Sequence, residues 1–261
     1  MQEFEADALS PLLLKSMCVA ASNYDTETGD VSRIWAQEAE AELLLAVRKP
    51  SVDVVASGLN LMIDNNVNGF YSGVWFKSGV LVRMMYALAL NVESQSPLAV
   101  PVKESRRRMA WALFAFDTIM SGGVPAFQTI PVEAMRVQLP LCERDFVLGI
   151  PTTTHNLSFP IPPPDPSVNT SATTGLLSQY ISIMAIRRKI FYYVANLSQE
   201  QSLPWEENSV FDSCKSDIFN WRASLGPEFE LNRDTIHARA ASRQLTQLFS
   251  RKHHTLSATR V

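Results

Sequence analysis

Cysteine is scarce in this chain, and its scarcity excludes the sites that cysteine usually builds. The 261 residues contain three cysteines, Cys18, Cys142 and Cys214, which are widely spaced. No C-x-x-C pair occurs, so neither a zinc site nor a redox dithiol is indicated. The sequence therefore predicts buried thiols without chemistry, and no metal or cofactor bound by this chain.

Motifs of catalysis and phosphate binding are also missing. There is no G-x-x-x-x-G-K-[ST] and no G-x-G-x-x-G, so no phosphate-binding loop is indicated. The four histidines, at positions 155, 237, 253 and 254, show no H-E-x-x-H or comparable metal-ligand spacing. We therefore expect that the chain is not an enzyme. Two or more carboxylates or histidines converging in an apolar pocket would revive an enzymatic reading.

An excess of positive charge is absent as well. The net charge is −3 and the isoelectric point is near 5.8. A protein that grips nucleic acid by itself needs a basic surface to neutralise phosphates. The one basic run, Arg106-Arg107-Arg108, is read either as a nucleic-acid patch or as bracing within the protein. The acidic balance favours the second interpretation, with carboxylate partners elsewhere in the chain.

Most of the sequence shows apolar residues at helical spacing. It shows no strand alternation, internal repeat or heptad run. Hydrophobic residues make up 46% of the chain, enough for a buried core. We predict an all-α fold, a single multi-helix domain of about seven or eight helices. The predicted helices span residues 4–21, 31–47, 52–65, 73–92, 103–121, 174–196, 210–225 and, weakly, 234–249.

Two of these segments are expected to form the centre. Residues 73–92 are apolar almost all the way round, but Arg83 at the middle argues against a membrane span and favours a buried helix. Arg83 falls on the stripe of Phe76 and Val80, where a buried guanidinium needs an acceptor. Asp117 borders the apolar face of the helix over 103–121. We therefore predict that Asp117 pairs with Arg83 across two packed helices.

Proline sets the remaining organisation. Residues 122–174 carry repeated prolines, which predict a long, irregular, Pro-rich excursion that packs on the surface of the domain and includes a mobile stretch. Residues 250–261 form a basic, polar tail.

The stretch from Glu104 onward has a recognisable pattern. Glu104-Ser-Arg106-Arg107-Arg108-Met-Ala-Trp111-Ala-Leu-Phe114-Ala-Phe-Asp117 is followed by a loop to Leu139-Pro140-Leu141. This resembles the middle homology region of fungal-specific transcription factors, whose approximate pattern is E-x-R-R-R-x-W-W-x-x-F-x-x-D. The segments around Gly79–Asn91 and Trp221–Pro227 are similar to two further landmarks of that family. One tryptophan of the usual pair is Ala110 here.

The resemblance implies the function that we expect. The chain, over 1–261, is then a regulatory domain of a fungal transcription factor, truncated at both ends and located in the nucleus. DNA binding and zinc binding would reside in a six-cysteine cluster that this chain lacks, so DNA is a partner only through that missing domain. A protein co-regulator or a small-molecule effector is the other expected partner, and no membrane is involved. The alternative is a DNA-binding-deficient helical adaptor or partner-binding protein.

Overall fold

The computed structural model describes residues 10–24, 29–163, 175–226, 229 and 237, and these form an all-α domain. The first five helices are α1 (Pro11–Ser22), α2 (Gly29–Ala46), α3 (Val52–Val67), α4 (Tyr71–Ala87) and α5 (Val100–Met120). They are followed by α6 (Glu143–Leu148), α7 (Leu176–Ala195) and α8 (Val210–Ala223). Three single 3₁₀ turns span Pro125–Phe127, Val132–Ala134 and Leu197–Gln199. The predicted fold class is confirmed.

Local sequence signals explain where these helices begin. Ser51 and Ser209 precede α3 and α8, and each side chain accepts a hydrogen bond from a backbone N–H of the first turn, that of Val54 and that of Asp212. Proline occupies the first turn of α1 and of α5, where its missing N–H has no helical partner to lose. The helix predicted over 4–21 is thus described from Pro11 onward. The helix predicted over 234–249, apart from residue 237, and the tail at 250–261 lie outside the described residues.

The helices pack in a chain of contacts that places α5 at the centre. The first three helices contact one another, α3 and α4 both contact α5, and α5 in turn contacts α6 and α7; α8 packs on α7. The largest fully buried side chains include Trp111 and Phe114 of α5 and Leu61 and Met62 of α3. The core therefore lies between α5 and the helices on either side of it in sequence.

The Pro-rich excursion after α5 is better organised than its composition indicates. Two of the 3₁₀ turns and the short helix α6 lie within it. Single β-bridges join Val92 to Arg136 and Gln138 to Asn156. Ile130, Val137, Leu139 and Leu141 from this segment are buried. The segment between α5 and α6 thus packs as part of the core.

Helix α4 corrects one expectation. Its buried side is formed by Val74, Ser78, Leu81 and Met85, at the spacing of one helix face. Phe76 and Val80, which were expected in the core, lie on the other side and are exposed, together with Arg83. A helix that is apolar all round gives no sequence signal for which side faces inward. Among the described residues no helix is long and apolar enough to cross a membrane.

Candidate functional site

The family-motif residues lie along α5 and face the segment that follows it. Glu104, Arg107, Trp111, Phe114 and Asp117 are buried, while Arg106 and Arg108 are half-buried. From Glu104 to Asp117 the helix rises about 20 Å, so the two carboxylates mark separate ends of one helix. Each end has its own set of partners.

Glu104 is completely buried and accepts hydrogen bonds from a backbone amide and two guanidinium groups. The Leu141 N–H lies 2.9 Å from its Oε1, and the Arg108 Nε lies 2.8 Å from the same atom. Arg107 Nη1 approaches Oε2 at 3.5 Å. A carboxylate engaged in this way is not free to act as a base. It holds the backbone at Leu141 against the first turns of α5.

Arg107 joins α5 to the segments before and after it. Its Nε and Nη2 lie 3.0 and 2.8 Å from the two carboxylate oxygens of Glu93, a bidentate arrangement. Nη2 also donates to the side-chain oxygen of Gln138. Glu93 in addition receives Lys103 Nζ at 3.1 Å and the Gln138 N–H at 3.3 Å. Burial alone would raise the pKa of Glu93, but these donors outweigh it and hold the pKa below its ordinary value.

The two other arginines of the run are also engaged within the protein. Arg106 donates to the Leu88 carbonyl at 3.2 Å. Arg108 contacts Glu143 at 2.7 Å and the Leu141 carbonyl at 3.2 Å, and its guanidinium stacks 4.1 Å from the centre of the Phe146 ring. Each arginine of Arg106–Arg108 therefore has a partner on another segment. These contacts hold the helix in place within the protein, which is the interpretation that the acidic balance of the chain favoured.

Trp111 and Phe114 fix the middle of α5. The Trp111 indole N–H donates to the Gln138 carbonyl at 2.8 Å, and its ring meets Phe114 edge to face with the centroids 5.4 Å apart. Both side chains are fully buried. The tryptophan thus supplies apolar volume and one hydrogen bond to the segment after α5.

Asp117 does not form the predicted pair with Arg83. Its Oδ2 lies 2.8 Å from Nη2 of Arg188 on α7, and both side chains are 5% exposed. The remaining lone pairs accept the backbone N–H groups of Thr129 and Ile130 and the Thr129 hydroxyl. Arg83 lies on the exposed side of α4, and no hydrogen bond or ion pair joins it to this carboxylate. The α4 residue whose ionisation responds to Asp117 is Tyr86, whose pKa is raised by burial and by that negative charge.

Arg188 is the buried cation that completes this end of α5. Besides Asp117, it donates to the Thr118 hydroxyl at 2.7 Å and to the Ile130 carbonyl. Its guanidinium lies 4.4 Å from the centre of the Phe114 ring. Burial lowers the pKa of Arg188, and the Asp117 charge partly opposes that effect. Its Nε is buried and has no hydrogen-bond partner in the described part of the chain.

Several residues of these two clusters were not singled out from the sequence, among them Glu93, Thr129, Gln138 and Arg188. The run Arg187-Arg188-Lys189 in an otherwise apolar helix was the available signal for the last of them. All three cations of that run are engaged, because Arg187 donates to the Thr118 carbonyl and Lys189 pairs with the buried Asp217. Glu93, Thr129 and Gln138 lie in irregular segments, where spacing carries no information about facing partners.

The described residues offer no arrangement suited to a metal ion. No group of three or more histidine, cysteine, aspartate or glutamate side chains converges among them. Cys214 in α8 is buried as predicted, whereas Cys18 in α1 is exposed and Cys142, the residue before α6, is half-buried. Burial raises the pKa of Cys214. These thiols do not fit a binuclear zinc cluster.

A shallow pocket of about 470 Å³ opens beside α8, away from the motif residues. Its lining is formed by Pro204, Trp205, Glu206, Glu207, Phe211, Asp212 and Lys215. Neither carboxylate of the motif on α5 lines it. The motif residues thus form an internal framework and do not border this pocket.

Comparison with known proteins gives the same family for most of the chain. Residues 3–223 match the model of the fungal specific transcription factor domain. An uncharacterized transcriptional regulatory protein of Schizosaccharomyces pombe is 25% identical over 90% of this chain and 32% of its own length. The Zn(2)-C6 fungal-type transcription factor FTF1c of Fusarium oxysporum f. sp. lycopersici is 24% identical over 86% of this chain and 27% of its own length. The chain therefore spans about a third or less of these relatives. No solved structure matches.

Proposed function

The chain belongs to the fungal-specific transcription factor family, and from that premise we propose that it is a regulatory domain that does not itself contact DNA. Its relatives include transcriptional regulators, which supports a role in the control of transcription. Sequence-specific DNA binding would belong to a zinc cluster of the kind that the Fusarium relative's name records. The expected location is the nucleus.

The observation that carries this proposal is the engagement of the three arginines of α5. A DNA-contacting basic run keeps its guanidinium groups available to phosphates. Here Arg107 is buried against Glu93 and Gln138, and Arg108 is held by Glu104 and Glu143. Releasing them to DNA would leave Glu104 buried without its cations, which is unfavourable. The run therefore serves the fold.

The same contacts support a non-catalytic role. Glu104 and Asp117, the buried carboxylates of the motif, accept backbone N–H groups and guanidinium donors, so neither is poised to transfer a proton. We infer that the domain acts by presenting a surface or by changing shape when an effector or a co-regulator binds.

Two assays test the proposal together. In fluorescence anisotropy with duplex DNA at physiological salt, we expect only nonspecific binding with a dissociation constant weaker than about 1 µM. In cells, the chain fused to an unrelated DNA-binding domain should change transcription of a reporter that carries the matching sites. Tight, sequence-specific binding by the chain alone would contradict the first expectation, and a reporter that never responds would contradict the second.

The adaptor alternative is supported by one feature, the exposed aromatic side of α4 at Trp75 and Phe76. An adaptor would act through a protein partner bound there. Removing those side chains would then abolish the reporter response while leaving the fold intact. A response that survives their removal would leave the regulatory domain, acting elsewhere on its surface, as the better account.

A further inference from the structure

The outer side of α4 is an apolar surface without a cover among the described residues. Phe76 is 74% exposed, Val80 40% and Trp75 39%. With Gly79 and Arg83 they occupy one side of the helix, opposite the buried Val74, Leu81 and Met85. We call Trp75, Phe76, Gly79, Val80 and Arg83 the α4 face. Contiguous exposed apolar surface of this kind is typical of an interaction site.

Gly79 lies at the centre of the α4 face and is not required by the fold as described. A Cβ built there meets no atom of the described residues within 4 Å. Glycine inside a helix is less stable than alanine by roughly 0.5–1 kcal/mol. Its advantage is that a second helix can approach the backbone closely, because no side chain intervenes. The α4 face is therefore shaped for a helix that crosses at Gly79.

Arg83 restricts which residues the crossing helix can place next to it. It has no hydrogen bond or ion pair with any other residue that the structure describes, and α4 contains no acidic residue. The other cation of α4, Lys77, is held by Glu40 at 2.6 Å. A partner that covers Arg83 must bring either a carboxylate or an aromatic ring.

A second copy of α4 supplies that ring. When two identical helices cross antiparallel at Gly79, a residue four positions after the glycine faces the residue four positions before it in the other copy. Arg83 and Trp75 occupy those two positions. The Trp75 ring is held in place by Phe127, edge to face at 5.6 Å between centroids. Tryptophan is the best aromatic acceptor for a cation.

We propose that the α4 face is the dimer interface of this chain, with two α4 helices antiparallel and Arg83 of each copy over the partner's Trp75. Phe76 and Val80 flank the crossing and lose their exposure to water. This two-fold arrangement accounts for Gly79, Arg83 and Trp75 together. An acidic helix of another protein would satisfy Arg83 alone. The proposal is independent of the regulatory role, since association of the chain is measured directly.

The experiment is analytical ultracentrifugation of the whole chain from low to high micromolar concentration. We expect a reversible monomer–dimer equilibrium. Gly79→Leu should abolish the dimer while stabilising the monomer, because the added side chain enters open space and leucine favours the helix. Arg83→Glu should weaken the dimer about tenfold or more, since two cation–aromatic contacts are lost. Lys215→Glu, the same charge change on α8, should leave the equilibrium unchanged.

A mixture of two variants makes the test specific to the geometry. Arg83→Glu places an anion over the partner's tryptophan, and Trp75→Lys places a cation under the partner's arginine, so each variant alone should form a dimer at least about tenfold weaker than that of the wild-type chain. Mixed together they should form a heterodimer, with one glutamate–lysine pair and one retained arginine–tryptophan contact. Circular dichroism of each variant confirms that it is folded. If Trp75→Lys does not fold, the opposite effects of Gly79→Leu on the dimer and on the monomer decide the question.

Three outcomes would overturn the proposal. A wild-type chain that stays monomeric over the whole concentration range would show that the α4 face does not bind a second copy. A dimer whose dissociation constant changes with neither Gly79→Leu nor Arg83→Glu would use a different interface. A mixture that forms no more dimer than its two components would exclude the antiparallel register.

Discussion

Two arginines stand in apolar helices that pack on α5, and their surroundings are opposite. Arg188 on α7 is 5% exposed, pairs with Asp117 and stacks on Phe114. Arg83 on α4 is exposed and has no hydrogen-bonding or ionic partner in the described part of the chain. The first belongs to the framework that fixes the segment after α5, and the second belongs to a surface. A cation within an apolar stripe can therefore mark either a buried anchor or an open contact site.

Removing Asp117 should have the largest effect on stability. Asp117→Ala leaves the buried Arg188 without its counter-charge and frees the N–H groups of Thr129 and Ile130, so we expect a loss of about 3–5 kcal/mol. Urea unfolding followed by circular dichroism measures the loss. A change below about 1 kcal/mol would show that the pair does not hold this end of α5.

Glu104→Ala should come next, with a loss of about 2–3 kcal/mol, because a buried backbone N–H and two guanidinium groups lose their acceptor. Glu143→Ala is the matched control. Glu143 binds the same Arg108, but its side chain is 68% exposed, so its removal should cost at most about 1 kcal/mol. Equal effects of the two substitutions in urea unfolding would contradict the assignment of Glu104 as the anchor.

Glu93 should give this cluster a pH dependence. Its pKa is lower in the folded chain than in the unfolded chain, so its stabilisation is present above the ordinary glutamate pKa, about 4.3, and disappears as the pH falls through the folded value. Glu93→Gln should therefore cost about 1–2 kcal/mol at neutral pH and much less once the pH is below the folded pKa of Glu93. Urea midpoints of both proteins across this range test it. A stability difference between the two proteins that does not change with pH would show that the charge of Glu93 does not contribute to stability.

Arg83→Met should have the smallest effect on the stability of the monomer, within about 0.5 kcal/mol, because an exposed side chain without partners is lost. Thermal unfolding at a concentration where the chain is monomeric measures it. A loss comparable with that of Asp117→Ala would show that Arg83 has a structural partner after all.

The sequence predicted the all-α class and the position of the central helix, because helical periodicity and a cap such as Ser51 are local signals. It also predicted that Asp117 pairs with an arginine of a neighbouring helix, but it named Arg83. It could not choose the cation, since Arg188 lies 71 residues further along the chain and spacing within one helix says nothing about which helices meet. The sequence also could not predict which side of α4 faces inward, because Phe76 and Val80 are as apolar as Val74 and Leu81.

The irregular segment after α5 shows a second limit. Its prolines indicated an irregular excursion packed on the surface, but not that Ile130, Leu139 and Leu141 would belong to the buried core. Backbone N–H groups in such a segment have no helical partners, so each buried one needs an acceptor from elsewhere. Glu104 and Asp117 provide acceptors at two points. A family pattern that pairs these carboxylates with a following Pro-containing loop therefore has a physical explanation.

The most direct test of the account is a double-mutant cycle on the Asp117–Arg188 pair. Free energies of unfolding are measured in urea for Asp117→Asn, Arg188→Met and the double variant, beside a second cycle with Arg83→Met in place of Arg188→Met. We predict a coupling energy of about 2 kcal/mol or more for Asp117 with Arg188, and additivity within about 0.5 kcal/mol for Asp117 with Arg83. Additive effects in the first cycle, or strong coupling in the second, would contradict the account.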